Sequence, residues 1–213
     1  MTFSGDADIL WHTALALARH AEQRRKGQGT LPPLLFFTDP DRTPEPWRVV
    51  QNLPAGAAVV YRAFSRPEAE TVGMKLRQAC DQAGCLLLVG KDEGLAHTVK
   101  ADGLHLPETD MQRAAELRHA HPDWLITCAL HKELTDRDSH GIDAFVVSPV
   151  FPAGGASALK PDLGIDAFKR LIETLPCPAY GLGGITSTNA AQLLETQACG
   201  IAGVEAIQRA FGN

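Results

Sequence analysis

Short apolar runs recur along the whole chain, and this recurrence constrains the fold more than any other feature. Each run has the length of a strand and is bounded by Gly, Pro or Asp. The eight runs are Leu34–Phe37, Ala57–Tyr61, Cys85–Val89, Gly103–Leu106, Trp124–Cys128, Ala144–Val147, Pro178–Leu182 and Gly200–Val204. Continuous rather than alternating apolar runs are typical of strands that are covered on both faces of a parallel sheet.

Segments with helical periodicity separate several of these runs. The predicted helices are Glu68–Ala79, Asp110–Ala120, Ile165–Thr174 and Asn189–Thr196. Strand followed by helix, repeated around the chain, predicts a (β/α)₈ TIM barrel. A doubly wound open sheet is the alternative, because periodicity does not distinguish a closed sheet from an open one. No Gly-x-Gly-x-x-Gly follows the first run, which argues against a dinucleotide-binding version.

The chain of 213 residues is predicted to form one domain, numbered 1–213. Residues 34–211 would form the barrel and residues 1–33 an N-terminal helical extension. Within that extension, Ile9–Arg24 has the pattern of an amphipathic helix, and Pro32-Pro33 would end it. Such a helix is expected to cover the amino end of the strands.

Composition narrows the location and the partners. A net charge of −5 and a pI near 5.9 argue against nucleic acid. No run approaches a membrane span, and the polar segment Met1–Asp8 is unlike a signal peptide. Five cysteines without a C-x-x-C pair predict buried thiols in a reducing cytoplasm. A small phosphate ligand is the expected partner. A homo-oligomer is compatible with the sequence, and no motif specifies one.

Two glycine-rich segments point to anion binding. Gly181-Leu-Gly-Gly-Ile-Thr-Ser follows strand seven, and Gly200-Ile-Ala-Gly-Val-Glu forms strand eight. Glycines let the backbone approach an anion, and a helix beginning near Thr186 or Ser187 would direct free N–H groups at it. Ordinary turn glycines are the alternative. The predicted phosphate contacts are Gly183, Gly184, Thr186, Gly203, Val204 and Glu205.

Three further residues follow strands and would lie at the barrel mouth. Arg62 ends an apolar strand and could clamp a phosphate, although a charge on the rim is the alternative. His131 follows strand five and is the acid/base candidate, with a solvent-facing histidine as the alternative. Lys91 follows strand three and would add positive charge. His105, inside strand four, is interpreted as a packed core residue.

Several motifs together resemble the thiamine-phosphate synthase superfamily, which includes the thiazole tautomerases. In chain order they are Asp102-Gly-Leu-His-Leu, Ser148-Pro-Val-Phe-Pro, Leu159-Lys-Pro-Asp-Leu-Gly, Gly181-Leu-Gly-Gly-Ile-Thr and Gly200-Ile-Ala-Gly-Val-Glu-Ala-Ile. The resemblance covers roughly residues 34 to 210 and implies a (β/α)₈ barrel. It implies a role in thiamine biosynthesis or salvage.

The resemblance implies that the chain, if it is a synthase, would join a pyrimidine diphosphate to a thiazole phosphate. This reaction would release pyrophosphate and would need Mg²⁺. The family's Gln-x-Arg-x-Lys motif reads Val60-Tyr-Arg-Ala-Phe64, so only Arg62 is kept. The Asn-Asp pair reads Gly90-Lys91, and Asp110 matches the second metal carboxylate. The Thr-x-Thr-Lys loop reads Ala153-Gly-Gly-Ala156. Glu205 replaces an expected serine.

These departures favour the tautomerase branch, which moves a proton on a thiazole phosphate without a metal. Lys91 in place of an aspartate would repel Mg²⁺. In this hypothesis His131 transfers the proton, Arg62 and Lys91 supply charge, and Gly183 and Gly184 hold the phosphate. No cofactor is then required. The alternatives are a synthase that uses Mg²⁺ at Asp110 and a non-catalytic barrel that binds a phosphate ligand.

Overall fold

Eight parallel strands close into a barrel in chain order. The computed structural model describes residues 5–25, 30–134, 139–154 and 161–212. The strands are β1 Leu34–Phe37, β2 Ala58–Tyr61, β3 Leu86–Gly90, β4 Gly103–Leu106, β5 Leu125–Leu130, β6 Ala144–Val147, β7 Ala179–Leu182 and β8 Gly200–Gly203. Each apolar run forms a strand as predicted. Pairing of β8 with β1, through Leu35 and Ala202, confirms the closed barrel over the open sheet.

Helices connect the strands on the outside of the barrel. In the described ranges the α-helices are α1 Asp6–Arg25, α2 Pro46–Val50, α3 Ala69–Ala83, α4 Glu93–Thr98, α5 Ala114–Ala120, α6 Gly164–Glu173 and α7 Glu205–Phe211. The helices α2, α4 and α7 escaped prediction because each is shorter than the window in which periodicity becomes visible. No helix within these ranges is long and apolar enough to cross a membrane.

Two helical predictions need correction. The segment predicted as the helix Asn189–Thr196 forms a 3-10 helix over Ala190–Glu195. The predicted helix Asp110–Ala120 is divided into a 3-10 helix, Glu108–Arg113, and α5. Both 3-10 helices have six residues, which is long for this type of helix, because its poorer hydrogen-bond geometry usually limits it to three or four.

Alternation along the strands assigns their side chains to two apolar clusters. Leu35 and Phe37 of β1 lie in an inner cluster with residues of β2, β3, β6, β7 and β8. Leu34 and Phe36 of the same strand belong to the cluster between the sheet and the helices. Since side chains alternate along a strand, each residue's parity fixes whether it faces the interior or the helices.

The first helix lies beside the barrel wall rather than across the amino end of the strands, which corrects the expectation. It packs against β8, α7 and the 3-10 helix that follows β7. Ala14 and Leu17 are buried in the outer cluster, and Asp6 accepts a hydrogen bond from Ser187 at 2.6 Å. The connection after β7 supplies only a 3-10 helix, so α1 provides apolar cover for this part of the barrel.

The cysteines form no disulfide, in agreement with the sequence prediction. Cys80, Cys85 and Cys128 are buried among apolar side chains. Burial raises the pKa of the Cys85 thiol to about 11 and that of Cys128 to about 12. These thiols are therefore protonated near neutral pH and pack as small apolar side chains.

The barrel wall leaves no room for a side chain at Gly103, where a Cβ would overlap the carbonyl oxygen of Leu125 on the neighbouring strand. We expect Gly103→Ala to lower the free energy of unfolding by about 1–3 kcal/mol through overpacking. Urea denaturation measures this effect. Gly94→Ala is the matched control: in α4 its Cβ would meet only Asp92 Oδ1, at 3.5 Å, so unchanged or slightly raised stability is expected. Equal losses in both variants would contradict this packing argument.

Candidate active site

Two adjoining cavities lie at the carboxyl end of the strands, where TIM barrels carry their sites. The smaller, of about 250 Å³, is lined by Gly183, Gly184 and Gly203 among others and is named the glycine pocket here. The larger, the mouth chamber, has a volume of about 640 Å³. Three residues border both cavities, namely Arg62, Ser148 and Leu182. The two spaces therefore adjoin at the centre of the barrel mouth.

The strands β7 and β8 deliver the predicted phosphate contacts to one place. All of the predicted contacts line the glycine pocket, namely Gly183, Gly184, Thr186, Gly203, Val204 and Glu205. Gly183 and Gly184 have φ of +97° and +65°, which L-residues rarely adopt. Within the described residues, no backbone acceptor is recorded for either amide. The pocket thus offers backbone N–H groups that an anion can accept from.

Packing also explains why glycine is needed at these positions. A Cβ at Gly183 would lie 2.8 Å from the Cβ of Pro149, and one at Gly184 would overlap the carbonyl oxygen of Pro152. The loop after β7 therefore rests directly on the loop after β6. These glycines are therefore needed for the packing of the turn, and their backbone also lines the pocket, so the turn-glycine and anion-binding interpretations are compatible.

Thr186 differs from its predicted role as the first residue of a helix. The helical segment begins only at Ala190, and the Thr186 amide donates to Asn189 Oδ1 at 2.8 Å. That N–H group is already used within the turn. The prediction that a helix N-terminus at Thr186 or Ser187 directs free amides at the anion is therefore wrong, although Thr186 lines the pocket.

Arginines dominate the charge of the glycine pocket. Arg42, Arg62 and Arg209 line it, against the single carboxylate of Glu205 among the described residues. Arg42 Nη1 lies 3.3 Å from Glu205 Oε1, so this guanidinium, rather than Arg62 or Lys91, offsets the carboxylate beside the predicted phosphate site. Arg42 was not predicted, although its place in the loop after β1 satisfies the rule used for the other candidates.

Arg42 is held in turn by Asp39, at 2.8 Å between Nη2 and Oδ2. Burial alone would raise the pKa of Asp39, but hydrogen bonds from Arg42 outweigh it and the pKa is lowered. Asp39 therefore stays ionised and fixes the guanidinium at the pocket edge.

Arg62 occupies the boundary between the two cavities with its guanidinium largely buried. Its Nε donates to the carbonyl oxygen of Thr38 at 2.8 Å, and its Cζ lies over the rings of Phe37 and Phe64 at 5.6 and 5.4 Å. The Nη2 atom is buried and makes no hydrogen bond within the described residues, being 3.6 Å from Asp39 Oδ2. Burial lowers the pKa of Arg62 to about 10, so it remains charged at neutral pH. The guanidinium therefore places a positive charge at the boundary of the two cavities, where it would attract an anionic ligand.

Lys91 adopts a left-handed backbone conformation at the start of the loop after β3, with φ of +67°. Its side chain is 69% exposed, and Nζ lies 3.7 Å from Asp110 Oδ2. Arg113 Nη1 approaches the same carboxylate oxygen at 4.0 Å. The carboxylate matched to a metal ligand is therefore flanked by two cations.

Magnesium does not fit this arrangement. The ion requires oxygen ligands at near-octahedral positions, and Asp110 is one carboxylate already facing an ammonium and a guanidinium. The neighbouring carboxylates are also engaged: Asp92 caps α4, Glu93 pairs with Arg113, and Glu108 binds His131. Positive side chains stand where the family pattern has a metal carboxylate.

His131 lies at the mouth as predicted and is held by Glu108. Its Nδ1 is 2.9 Å from Glu108 Oε2, and its backbone N–H donates to the same oxygen at 3.1 Å. The side chain is 38% exposed and borders the mouth chamber. A carboxylate on Nδ1 leaves Nε2 to exchange a proton. Glu108 was not predicted; its place two residues after β4 was the available signal.

His105 is confirmed as a packed residue, and its ring also borders the mouth chamber. Its Nδ1 is 3.0 Å from Thr127 Oγ1, and its ring meets Phe37 edge-on at 4.9 Å. Burial, helped by the charge of Arg62, lowers the pKa of His105 to about 3. The neutral imidazole is a polar group among the apolar side chains of the chamber, such as Phe37, Val146 and Leu182.

The loop after β6 is only partly described. Pro152, Ala153 and Gly154 line the glycine pocket. Gly155 and Ala156 of the family's loop motif, and Lys160, lie outside the described residues.

The closed ring of eight parallel strands, with its cavities at their carboxyl ends, places this chain in the class of (β/α)₈ TIM barrels. The sequence profile of one family, thiamine monophosphate synthase, matches residues 34–207 of this chain. The chain belongs to that family, and the resemblance drawn from its motifs is confirmed.

Individual relatives agree with this assignment. A thiamine-phosphate synthase of Archaeoglobus fulgidus is 30% identical over 65% of this chain and 66% of its own length. Another, of Chlorobium luteolum, is 30% identical over 84% of this chain and 86% of its own length. The match to the Archaeoglobus protein thus spans just under two thirds of that protein.

The fold itself also has a solved counterpart. A thiamine phosphate pyrophosphorylase from Pyrococcus furiosus superposes with a TM-score of 0.68 at 23% identity, covering 84% of this chain and 91% of its own. At this identity, the likeness establishes the barrel architecture alone.

The buried His105 makes a pH-dependent contribution that can be isolated. In the unfolded chain His105 has its ordinary pKa, whereas in the folded chain its pKa is lowered to about 3. Its contribution to folding is therefore present above pH ~6.5 and is lost as the pH falls toward 3. Between pH 6.5 and 4.5 we expect the wild type to lose about 1–3 kcal/mol more unfolding free energy than His105→Gln. Urea titrations at several pH values, with the exposed His119→Gln as control, measure this difference; identical slopes in all three proteins would contradict it.

Proposed function

We propose that this chain condenses a pyrimidine diphosphate with a thiazole phosphate, forming thiamine phosphate and pyrophosphate. The observation that carries the proposal is the pair of adjoining cavities, of about 250 and 640 Å³, with Arg62 at their boundary. A synthase must hold two ring systems at once, whereas a tautomerase holds a single thiazole phosphate. Membership of the synthase family and the names of the curated relatives support the same choice.

This proposal replaces the tautomerase-like hypothesis drawn from the sequence. That hypothesis depended on departures from the family motifs, and each departure was interpreted without knowledge of the residues that surround it in the fold. In the folded chain, Arg42 offsets Glu205, and Lys91 and Arg113 flank Asp110. The Glu205 carboxylate beside the glycine pocket is therefore paired with a cation, and the cations near Asp110 are available to a diphosphate.

The glycine pocket would hold the phosphate of the thiazole substrate. Backbone N–H groups of Gly183 and Gly184 would donate to its oxygens, and Arg42 and Arg209 would supply charge at the edge. Anchored there, the substrate would direct its ring toward Arg62 and the mouth chamber. Fixing the ring in this way would lower the activation barrier, because the entropy lost in orienting the substrate is already lost on binding.

The mouth chamber would hold the pyrimidine diphosphate. Condensation breaks the C–O bond between the pyrimidine methylene and the diphosphate, and the electron pair leaves with pyrophosphate. The thiazole nitrogen then forms the new C–N bond to that methylene. Arg62, Lys91 and Arg113 border this chamber and would stabilise the charge that develops on the leaving group. In this proposal they take the electrostatic role for which the family pattern uses a metal.

A second candidate function is proton transfer on the thiazole ring. The observation that favours it is the His131–Glu108 pair, in which a carboxylate orients the imidazole at the chamber wall. A base oriented by a third group is the arrangement expected for general acid–base catalysis. It would need the glycine pocket and one ring position only.

Removing the buried guanidinium tests the condensation. With both substrates present, we expect the purified protein to form thiamine phosphate. Arg62→Met should lower kcat/KM by about 10²–10³-fold, because the variant lacks the guanidinium charge that would stabilise the departing pyrophosphate. Arg66→Met is the control, since Arg66 pairs with Asp41 outside both cavities. Product formation should persist in a chelator, because cations already flank Asp110.

Two results would contradict this proposal. If product formed only with added Mg²⁺, the charge role given to Lys91 and Arg113 would be wrong. If calorimetry showed thiazole phosphate binding while no product formed under any condition, the chain would be a binding protein rather than a synthase.

The proton-transfer candidate is tested by His131→Gln. If that candidate is correct, isomerisation of a thiazole carboxylate phosphate should be measurable and should fall about 10²–10⁴-fold in the variant. The exposed His119→Gln should retain the rate. Isomerisation that is absent in the wild type, or unchanged in His131→Gln, removes this function from consideration.

A further inference from the structure

A cluster of metal-ligating side chains lies beside the mouth, on the segments that connect β3, β4 and β5. Glu93 and His97 are the first and fifth residues of α4, and His121 directly follows α5. One ligand atom from each residue lies within 4.8 Å of the other two. Positions four apart on a helix face the same side, so α4 presents the carboxylate and the imidazole together.

We propose that Glu93, His97 and His121 bind a zinc ion. Two imidazoles and one carboxylate are a donor set that zinc accepts in tetrahedral geometry. With bonds of 2.0–2.2 Å, tetrahedral ligand atoms are separated by about 3.3 Å. His121 Nε2 and Glu93 Oε1 are 2.9 Å apart, and all three ligand atoms lie within 4.8 Å of one another, so the side chains would have to adjust to surround the ion evenly.

The surroundings hold two of the ligands in place. The Trp124 ring stacks on His121 with centroids 3.8 Å apart and an angle of 19° between the planes. Arg113 Nη2 lies 3.2 Å from Glu93 Oε2, the oxygen that does not face His121. Outer contacts of this kind fix the orientation of metal ligands and reduce the entropy lost on binding.

The third ligand leaves the site open to solvent. His97 is exposed, and its ring lies 4.8 Å from that of His121 and 5.2 Å from that of Trp124. Three protein ligands would leave the fourth zinc position to water. An ion there would link α4 to the segment before β5 and thereby stabilise two successive units of the barrel.

Arg113 joins this site to the carboxylate of Asp110, because its guanidinium contacts both Glu93 and Asp110, but the proposed zinc ligands differ from the residues around Asp110. Glu93 also borders the mouth chamber, but its Oε1 faces His121, and neither histidine lines that chamber. The proposal does not depend on the condensation reaction, because it can be tested without either substrate.

Titration of chelator-treated, full-length protein with ZnCl₂ in a calorimeter tests the site. We expect one ion per chain, and a rise in Tm of about 5 °C at saturating zinc because the ion binds the folded state alone. Cobalt(II) in place of zinc should give the visible absorption of a tetrahedral site. His97→Gln and His121→Gln should each weaken binding more than ~10-fold through loss of a ligand.

Matched variants separate this site from general histidine affinity. His119→Gln, on the exposed side of α5, should bind zinc like the wild type. His97 is exposed, so His97→Gln is expected to fold, and its Tm without metal checks this. Failure of the wild type to bind zinc at 100-fold excess over protein would overturn the proposal. Equal affinity in His97→Gln, His119→Gln and the wild type would overturn it as well.

Discussion

Closure of eight short parallel strands is the constraint on which the rest of this molecule depends. Once β8 pairs with β1, every strand delivers its carboxyl end to the same ring, and alternation decides which side chains enter it. Phe37, His105 and Leu182 enter the mouth chamber for this reason. The site is built from residues far apart in sequence.

Charge pairing at the mouth determines how the cavities can act. Two carboxylates at the mouth are met by cations: Glu205 by Arg42, and Asp110 by Lys91 and Arg113. Arg62 differs, because its Nη2 atom is buried and has no hydrogen bond among the described residues. The Arg62 side chain borders both cavities and is largely buried, so its charge would act with little screening on an anionic ligand held there.

Prediction from the sequence succeeded where a signal is local and failed where it is not. The strands were recognised because each is a continuous apolar run, such as Leu34–Phe37. The helix predicted at Asn189–Thr196 is a 3-10 helix, and α1 took the outer position beside β8 instead of the amino end. Periodicity reports that a face is apolar, but it does not report which surface that face will meet.

The sequence by itself determined the eight strands and the positions of Gly183, Gly184, Arg62 and His131 beyond the strand ends, because apolar runs and strand-end positions are properties of neighbouring residues. Its motifs indicated the family. Only the tertiary structure decided that the sheet closes and which partners those residues have. Arg42 meets Glu205, and Glu108 meets His131, across separations that no sequence pattern encodes. Such pairs form because closure of the ring brings separate loops within the few ångströms at which charges and hydrogen bonds act.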